Sequence, residues 1–237
     1  MGIRVDILDN CVLVDATADE DDAVKCGFLP EGDPSSYPDL VDLLGDLVDP
    51  TIGKLLDVGE LPAGTLETME YPLDPSTEEQ HAIRACAPRH EHRRVGELTD
   101  HEYSRHATRI IEKFKHMLAN DGEIPEDAKT KKFSQRVLPA RWGNRPPSMT
   151  ATSMPDDYIH FSQPRTLTVR EWARLQLFPD WYRFEGKRTT GGIRRAGNPR
   201  EGIFDREVPK YTQIGNAVPV GLAERVGVHF RMILTGE

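Results

Sequence analysis

Apolar and polar residues alternate at the beginning of the chain. Ile3, Val5 and Ile7 fall on one face of an extended segment, and the alternation resumes over residues 12–14 after a turn at Asp9-Asn10. A period of two is typical of a strand with one buried face. The pattern therefore predicts two short strands joined by a turn.

Leucine and valine then recur at helical spacing over residues 39–48, directly after Pro38. Proline suits the entry to a helix, so this run predicts a helix. Over residues 50–77 proline and glycine are scattered among polar residues. Such residues interrupt both helices and strands, and this stretch is predicted to be an irregular connection.

The clearest helical pattern covers residues 100–119. Thr99 and Glu102 have the spacing of a capping box, in which a hydroxyl and a carboxylate satisfy the first free backbone amides. Asn120-Asp121-Gly122 predicts the end of this helix. Its apolar residues fall on one face and are expected to belong to the core: Tyr103, Ala107, Ile110, Ile111, Phe114, Met117 and Leu118.

Charge divides the chain into two parts. Residues 1–80 contain 20 acidic and 3 basic residues, for a net charge of −17. Residues 81–237 contain 27 basic and 19 acidic residues, for a net charge of +8. The overall charge of −9 hides this division. A basic region beside an acidic one is consistent with a surface for a polyanion, although two solvated surfaces would have the same composition.

Composition places the chain among globular proteins, with 38% hydrophobic and 29% charged residues. No apolar run approaches the ~20 residues that span a bilayer, and the first residues lack the pattern of a secretory signal. Cys11, Cys26 and Cys86 are odd in number and widely spaced, which indicates no disulfide framework. We therefore expect a protein of the reducing cytoplasm without a membrane segment.

A basic segment between residues 128 and 155 contains no acidic residue and includes Phe133 and Trp142. Cations that neutralise phosphates, together with rings that stack or wedge, are typical of a nucleic-acid surface. The residues predicted to contact DNA here are Lys131, Lys132, Arg136, Arg141 and Arg145.

The most informative segment, residues 164–180, reads PRTLTVREWARLQLFPD. Thr168 and Glu171 form a second capping box, which predicts a short helix ending before Pro179. The segment closely resembles the ninth conserved block of DNA cytosine-5 methyltransferases, R-x-L-T-x-R-E-x-A-R-L-Q-x-F-P-D, and every specified position matches. Arg165 and Arg170 flank the start of the helix and are also predicted to contact DNA.

A second match lies downstream. Residues 211–219, YTQIGNAVP, resemble the tenth block of the same family, and residues 146–152, PPSMTAT, are similar to one of its strands. Gly215 is expected to allow a tight turn before a carboxy-terminal helix. By this resemblance, Asn216 and Ala217 lie beside the amino-acid end of S-adenosyl-L-methionine.

The resemblance implies a mixed α/β fragment. It would consist of a small target-recognition domain and carboxy-terminal helices that complete a Rossmann-like S-adenosylmethionine methyltransferase domain. The expected divisions are an acidic amino-terminal segment at 1–80, a target-recognition region at 81–163 and the two conserved blocks at 164–237.

Several parts of the family's catalytic machinery are missing from this sequence. There is no F-x-G-x-G cofactor loop and no Glu-Asn-Val triplet, and none of the three cysteines belongs to a Pro-Cys-Gln nucleophile. We therefore assign no catalytic residue. The resemblance implies a half-enzyme that binds double-stranded DNA and completes a cofactor site with a catalytic partner half. The expected docking surface is one face of the last helix, comprising Leu222, Val226, Phe230 and Ile233.

Two other interpretations stay open. The chain could be a DNA-binding regulator that has lost the catalytic half. It could also contain a metal-binding module formed by Cys86, His90 and His92, with His81. Zinc ligands usually come as two spaced pairs, and a second pair is missing here. We therefore predict no metal site.

Overall fold

A computed structural model describes residues 3–5, 13–15, 38–58, 67–85, 97–129, 135–141, 156–189, 200, 202 and 208–235. The chain divides into two compact units. One unit contains residues 1–37 and 218–237, and the other contains residues 38–217.

The described elements follow one another in chain order: strands β1 (Ile3–Val5) and β2 (Leu13–Asp15), helices α1 (Leu40–Leu44), α2 (Pro50–Val58), α3 (Glu78–Arg84) and α4 (Thr108–Ala119), strands β3 (Arg136–Val137) and β4 (Tyr158–Ile159), and helices α5 (Val169–Leu175), α6 (Lys210–Asn216) and α7 (Val220–Thr235). Short 3₁₀ turns lie at Gly45–Leu47 and Glu126–Ala128.

The unit formed by residues 1–37 and 218–237 contains β1, β2 and α7. The two strands pair in antiparallel register, with Ile3 opposite Asp15 and Val5 opposite Leu13. This confirms the prediction of two short strands from the alternating pattern. Of the predicted docking face on α7, Leu222 and Phe230 are exposed and Val226 is half-buried, whereas the side chain of Ile233 lies outside the described residues; the docking itself stays a prediction.

The unit formed by residues 38–217 has its main core where α1 packs against α3 and α5, and where α5 packs against α6. Trp172 and Ala173 of α5 are fully buried, as are Leu40 and Leu44 of α1. This confirms the helix predicted after Pro38, although its last turn is a 3₁₀ turn.

A second cluster lies beside a small parallel sheet. Strands β3 and β4 pair Arg136 with Tyr158 and Val137 with Ile159. Phe114 and Met117 of α4 pack against Ile159 in this cluster. The apolar stripe predicted for this helix is therefore core at its carboxy-terminal half.

The helix predicted at residues 100–119 does not form over its amino-terminal half, so this part of the prediction is wrong. Helix α4 begins only at Thr108, and its N-cap residue Ala107 provides no side-chain cap. Asp100 has a φ of 63°, which is incompatible with a right-handed helix. The predicted capping box at Thr99 and Glu102 does not form, because both oxygens of Thr99 accept hydrogen bonds from Arg170 instead.

The irregular connection predicted for residues 50–77 is also partly wrong, because Pro50–Val58 is a helix. The Asp49 carboxylate accepts hydrogen bonds from the backbone N–H groups of Thr51 and Ile52, at 2.7 and 3.4 Å. An aspartate cap followed by proline at the first helical position is a recognised helix start. Among the described residues, no helix is both long and apolar enough to cross a membrane.

Candidate functional site

Helix α5 is held at its start by the capping box that the sequence predicts. The Thr168 hydroxyl accepts from the backbone N–H of Glu171 at 3.2 Å, and the Glu171 carboxylate accepts from the backbone N–H of Thr168 at 2.7 Å. The helix ends at Leu175, and Leu177 adopts a left-handed φ of 56° before Pro179. The predicted bounds are therefore confirmed.

A buried ion pair joins the start of this helix to the segment before it. Arg165 donates to both carboxylate oxygens of Glu171, at 2.8 and 2.6 Å, and donates through Nε to Gln163 at 2.8 Å. Burial alone would raise the pKa of Glu171, but the facing guanidinium outweighs it and holds this pKa well below its usual range. The pair is thus charged in the folded protein.

Arg170 also lies in the interior. Its guanidinium donates to the carbonyl of Thr99 at 3.0 Å, to the Thr99 hydroxyl at 2.8 Å and to the carbonyl of Tyr182 at 2.7 Å. It also lies 3.4 Å from the carboxylate of Asp100. The charge of Arg170 is thereby compensated within the chain.

Arg174 is bound between the carboxylates of Asp46 and Asp180, and all three side chains are buried. Asp46 also pairs with Arg84 of α3, and Tyr71 donates its hydroxyl to Asp180 at 2.8 Å. This network connects α5 to α1, to α3 and to the segment after α5. Its buried carboxylates were not identified from sequence, where Asp46 resembles any acidic residue of the 1–80 segment.

The burial of Arg165 and Arg170 corrects the prediction that they contact DNA. Their side chains are 1% and 0% exposed, and their donors already have acceptors inside the protein. A guanidinium in this position cannot reach a phosphate without unfolding its surroundings. The arginines of the ninth-block segment therefore hold the fold together.

The other predicted DNA contacts differ in position. Arg136 and Arg141 are exposed, and within the described part of the chain Arg141 forms a long ion pair of 3.7 Å with Asp39. Lys131, Lys132 and Arg145 lie outside the described residues, as do Phe133 and Trp142. A cleft of about 810 Å³ opens beside Arg136 and is also lined by Lys129, Gln135 and Phe161.

The predicted cofactor residues lie at the end of α6. Tyr211 donates its hydroxyl to the carbonyl of Leu167 at 2.9 Å, which fixes this helix against the segment that enters α5. Asn216 is the last helical residue and is exposed, and Ala217 is half-buried. Gly215 lies within the helix, so the tight turn predicted there is wrong.

These two residues fit one side of a polar ligand. The exposed Asn216 amide can both donate and accept hydrogen bonds, as the amino and carboxylate groups of S-adenosylmethionine require. Ala217 has no side chain that would obstruct a ligand. Such a surface can form one wall of a cofactor pocket.

The metal alternative falls largely outside the described residues, because Cys86, His90 and His92 are not among them. Within the described part of the chain, no group of three metal-ligating side chains comes together. The histidines beside α5 are buried and neutral instead. Burial lowers the pKa of His101 to about 4 and that of His160 to about 3.

Comparison with known proteins agrees with this arrangement. The sequence model of the family described as C-5 cytosine-specific DNA methylase matches residues 58–230. Type II methyltransferase M.DdeI of Desulfomicrobium norvegicum is 29% identical over 216 residues, which are 84% of this chain and 45% of that protein. DNA (cytosine-5)-methyltransferase CMT1 of Oryza sativa subsp. japonica is 35% identical over 98 residues, which are 40% of this chain and 8% of that protein.

A shorter relative is covered almost entirely. Type II methyltransferase M.AquIB of Picosynechococcus sp. is 34% identical over 129 residues, which are 54% of this chain and 84% of that protein. This chain therefore belongs to the family of C-5 cytosine-specific DNA methylases. It spans less than half the length of M.DdeI and a third of that of M1.HphI of Haemophilus parahaemolyticus.

Proposed function

We propose that this chain is the DNA-recognising, cofactor-site-completing half of a DNA cytosine-5 methyltransferase. In that role it binds double-stranded DNA and acts with a catalytic half that carries the nucleophile and the cofactor loop. The observation that supports this most is the combination of an intact ninth- and tenth-block scaffold with a sequence that has no Pro-Cys-Gln.

The relative M.AquIB adds support, because 84% of that protein aligns with this chain. A type II methyltransferase chain can therefore consist of little more than this part of the family. If the enzyme is divided into two chains, this chain needs contacts of its own to stay folded, and the network around α5 provides them. The network would give such a half an internal scaffold of its own, formed within residues 38–217.

S-adenosylmethionine would supply the methyl group, and this chain would contribute only one wall of its pocket. Asn216 and Ala217, at the end of α6, are the residues that we propose for that wall. On the DNA side, exposed arginines such as Arg136 and Arg141 would neutralise phosphates while the duplex is distorted to expose a cytosine. Completion of the Rossmann-like domain would come from the partner.

The decisive experiment is complementation. The purified chain is mixed with the product of a neighbouring reading frame that carries the Pro-Cys-Gln and F-x-G-x-G blocks, and methyl transfer from labelled S-adenosylmethionine to DNA is measured. We expect turnover only in the mixture. Turnover by this chain alone would contradict the half-enzyme, whereas DNA binding without any complementation would favour the regulator.

The cysteines provide a control for the same assay. Replacing Cys11, Cys26 and Cys86 together by serine should leave the activity of the mixture unchanged, because none of them belongs to a Pro-Cys-Gln sequence. Loss of turnover in a folded variant with one of these changes would mean that the nucleophile lies in this chain.

Assembly can be tested on α7. Leu222 is 40% exposed, and Leu222→Asp would place a charge in an apolar contact with the partner. We expect this variant to lose association, measured by sedimentation, while the exposed neighbour Glu224→Gln keeps it. Equal association by the two variants would exclude this face of α7 from the interface.

Cofactor binding can be tested at Asn216. We expect Asn216→Ala to weaken S-adenosylmethionine binding by the assembled enzyme by about 1–3 kcal/mol, the value of one or two hydrogen bonds. Calorimetry on the lone chain is the simplest complement. Tight cofactor binding without a partner would contradict the shared pocket.

A further inference from the structure

Asp100 has an unusual backbone conformation for a residue that is not glycine. Its φ is 63°, and the residue is 8% exposed. Aspartate tolerates the left-handed region better than most residues, but the conformation still has an energetic cost. It persists only where surrounding contacts hold it, and such positions are enriched at functional sites.

The contacts that hold Asp100 come from three separate segments. Its backbone carbonyl accepts from the N–H of Arg170 at 3.0 Å, at the start of α5. One carboxylate oxygen lies 3.4 Å from the Arg170 guanidinium and 3.4 Å from the N–H of Phe184. The other oxygen accepts from the ammonium of Lys210 at 2.6 Å. One carboxylate thus connects the ninth-block helix to the tenth-block helix.

Lys210 is the first residue of α6, and its backbone N–H donates to the carbonyl of Lys187 at 2.9 Å. Asn216 lies six residues later, about 9 Å along the helix axis at 1.5 Å per residue. Because α6 has fewer than two turns, the position of its first residue determines where Asn216 lies. Tyr211 attaches the helix to Leu167, and Gln213 donates to the carbonyl of Glu185 at 2.8 Å. Lys210 adds an attachment at the first residue of the helix, which helps to define its orientation.

We infer that Asp100 is a positioning residue that acts through Lys210 to hold α6, and with it the cofactor-contacting pair Asn216 and Ala217. The role of Asp100 in cofactor binding rests on the proposed function, whereas its role in holding α6 does not. Asp100 lies 110 residues before Lys210 and belongs to neither conserved block. The ion pair is formed within residues 38–217, so it is present before any partner binds.

The test uses Lys210→Met, which keeps an unbranched side chain of similar length and removes its charge. In the lone chain, backbone amide hydrogen exchange over residues 211–217 should accelerate at least severalfold. In the assembled enzyme, KM for S-adenosylmethionine should rise by about fivefold to tenfold, with kcat and DNA affinity unchanged. Lys210→Arg should restore both readouts.

Arg183→Met is the matched control. It removes another ion pair of the 97–100 segment, between Arg183 and Glu97 at 2.8 Å, and among the described residues this pair includes no residue of α6. Asp100→Gly is the second variant, because glycine adopts the left-handed backbone freely while the side chain with its carboxylate is removed. It should reproduce the Lys210→Met effects, whereas Arg183→Met should show none of them.

The outcomes separate the inference from the proposed function. Unchanged exchange at 211–217 in Lys210→Met would overturn the positioning of α6, whatever the cofactor result. Faster exchange with an unchanged KM for S-adenosylmethionine would overturn its link to the cofactor. A wild-type mixture that binds no cofactor would instead refute the proposed function, even if the exchange result is as expected, and would remove the cofactor role of Asp100 with it.

Discussion

The buried and the exposed arginines of this chain have the same side chain and opposite surroundings. Arg165, Arg170 and Arg174 lie within the core, and each has a carboxylate partner there. Arg136 and Arg141 are exposed. Among the described residues, Arg141 lies 3.7 Å from Asp39, and Arg136 lies 5.9 Å from the ring centroid of Tyr158. All five residues carry the same cation. What distinguishes a structural arginine from one available to DNA is the number of hydrogen-bond acceptors around it inside the protein.

The largest expected effect is a loss of stability on replacing one of the buried arginines. Arg174→Met would remove the cation between Asp46 and Asp180, leaving Asp46 with Arg84 and Asp180 with Arg170 at 3.9 Å. Breaking a buried pair in this way costs about 3–5 kcal/mol. Urea unfolding followed by circular dichroism should show this loss in the free energy of unfolding. A loss below about 1 kcal/mol would mean that the network does not hold the fold.

The second largest effect is expected from acid, which should lower the free energy of unfolding. The pKa of His160 is about 3 in the folded chain because of burial, below its ordinary value of 6.5, so the unfolded chain binds the proton more readily. Its contribution to stability is complete above pH 6.5 and is lost progressively as the pH falls towards 3. Each such histidine can remove up to about 1.4 kcal/mol per pH unit in this window.

Unfolding at pH 7.5 and pH 5.0 measures that effect. We expect His160→Gln to reduce the difference in unfolding free energy between the two pH values by about 2 kcal/mol. His116→Gln, at an exposed position of α4, should leave the difference as it is in the wild type. An identical pH dependence in all three proteins would exclude His160 as a source of acid sensitivity.

A smaller effect is expected on DNA binding by the exposed set. Arg136→Ala and Arg141→Ala should each lower the slope of log K against log salt concentration by about one unit, as expected for one lost phosphate contact. Fluorescence anisotropy with a DNA duplex at several salt concentrations gives the slope. Arg165→Met, measured under conditions where it stays folded, should keep the wild-type slope. A reduced slope in that variant would undo the distinction between the two sets.

The smallest effect is expected on the free energy of unfolding when an exposed arginine is replaced. Arg141 is 81% exposed in its side chain and lies 3.7 Å from Asp39. Surface pairs of this kind contribute about 0–1 kcal/mol. Arg141→Met should therefore unfold within 1 kcal/mol of the wild type, in the urea experiment used for Arg174→Met. A larger loss would place Arg141 with the structural arginines.

Local signals in the sequence predicted local structure well. The capping box at Thr168 and Glu171 and the breaker Pro179 bound α5 on both sides, and neither depends on distant residues. Asp49-Pro50 carried an equally local signal for α2, but the surrounding prolines and glycines obscured it. These elements could be predicted because their caps lie within three or four residues of the helix.

The failures have a different origin. Thr99 and Glu102 satisfy the capping pattern, yet Thr99 is used by Arg170, 71 residues away. A tertiary contact therefore displaced the local one, and α4 starts later. The burial of Arg165 and Arg170 could not be read from their own neighbourhood either. Arg170 and Arg174 pair with Asp100 and Asp46, which lie 70 and 128 residues away, so the residues around α5 do not identify these partners.

The separation of the paired residues along the chain has a consequence for how the protein folds. Arg174 pairs with Asp46, which lies 128 residues earlier in the chain. Gln163 donates to the carbonyl of Asp49, which lies 114 residues earlier. Contacts of such long range slow folding, because a large loop must close before they form. During synthesis, however, the acceptors leave the ribosome first. Each arginine of α5 therefore emerges after Asp46, and in a nascent chain that has not reached residue 174 this carboxylate has Arg84 but not yet Arg174 as its cation.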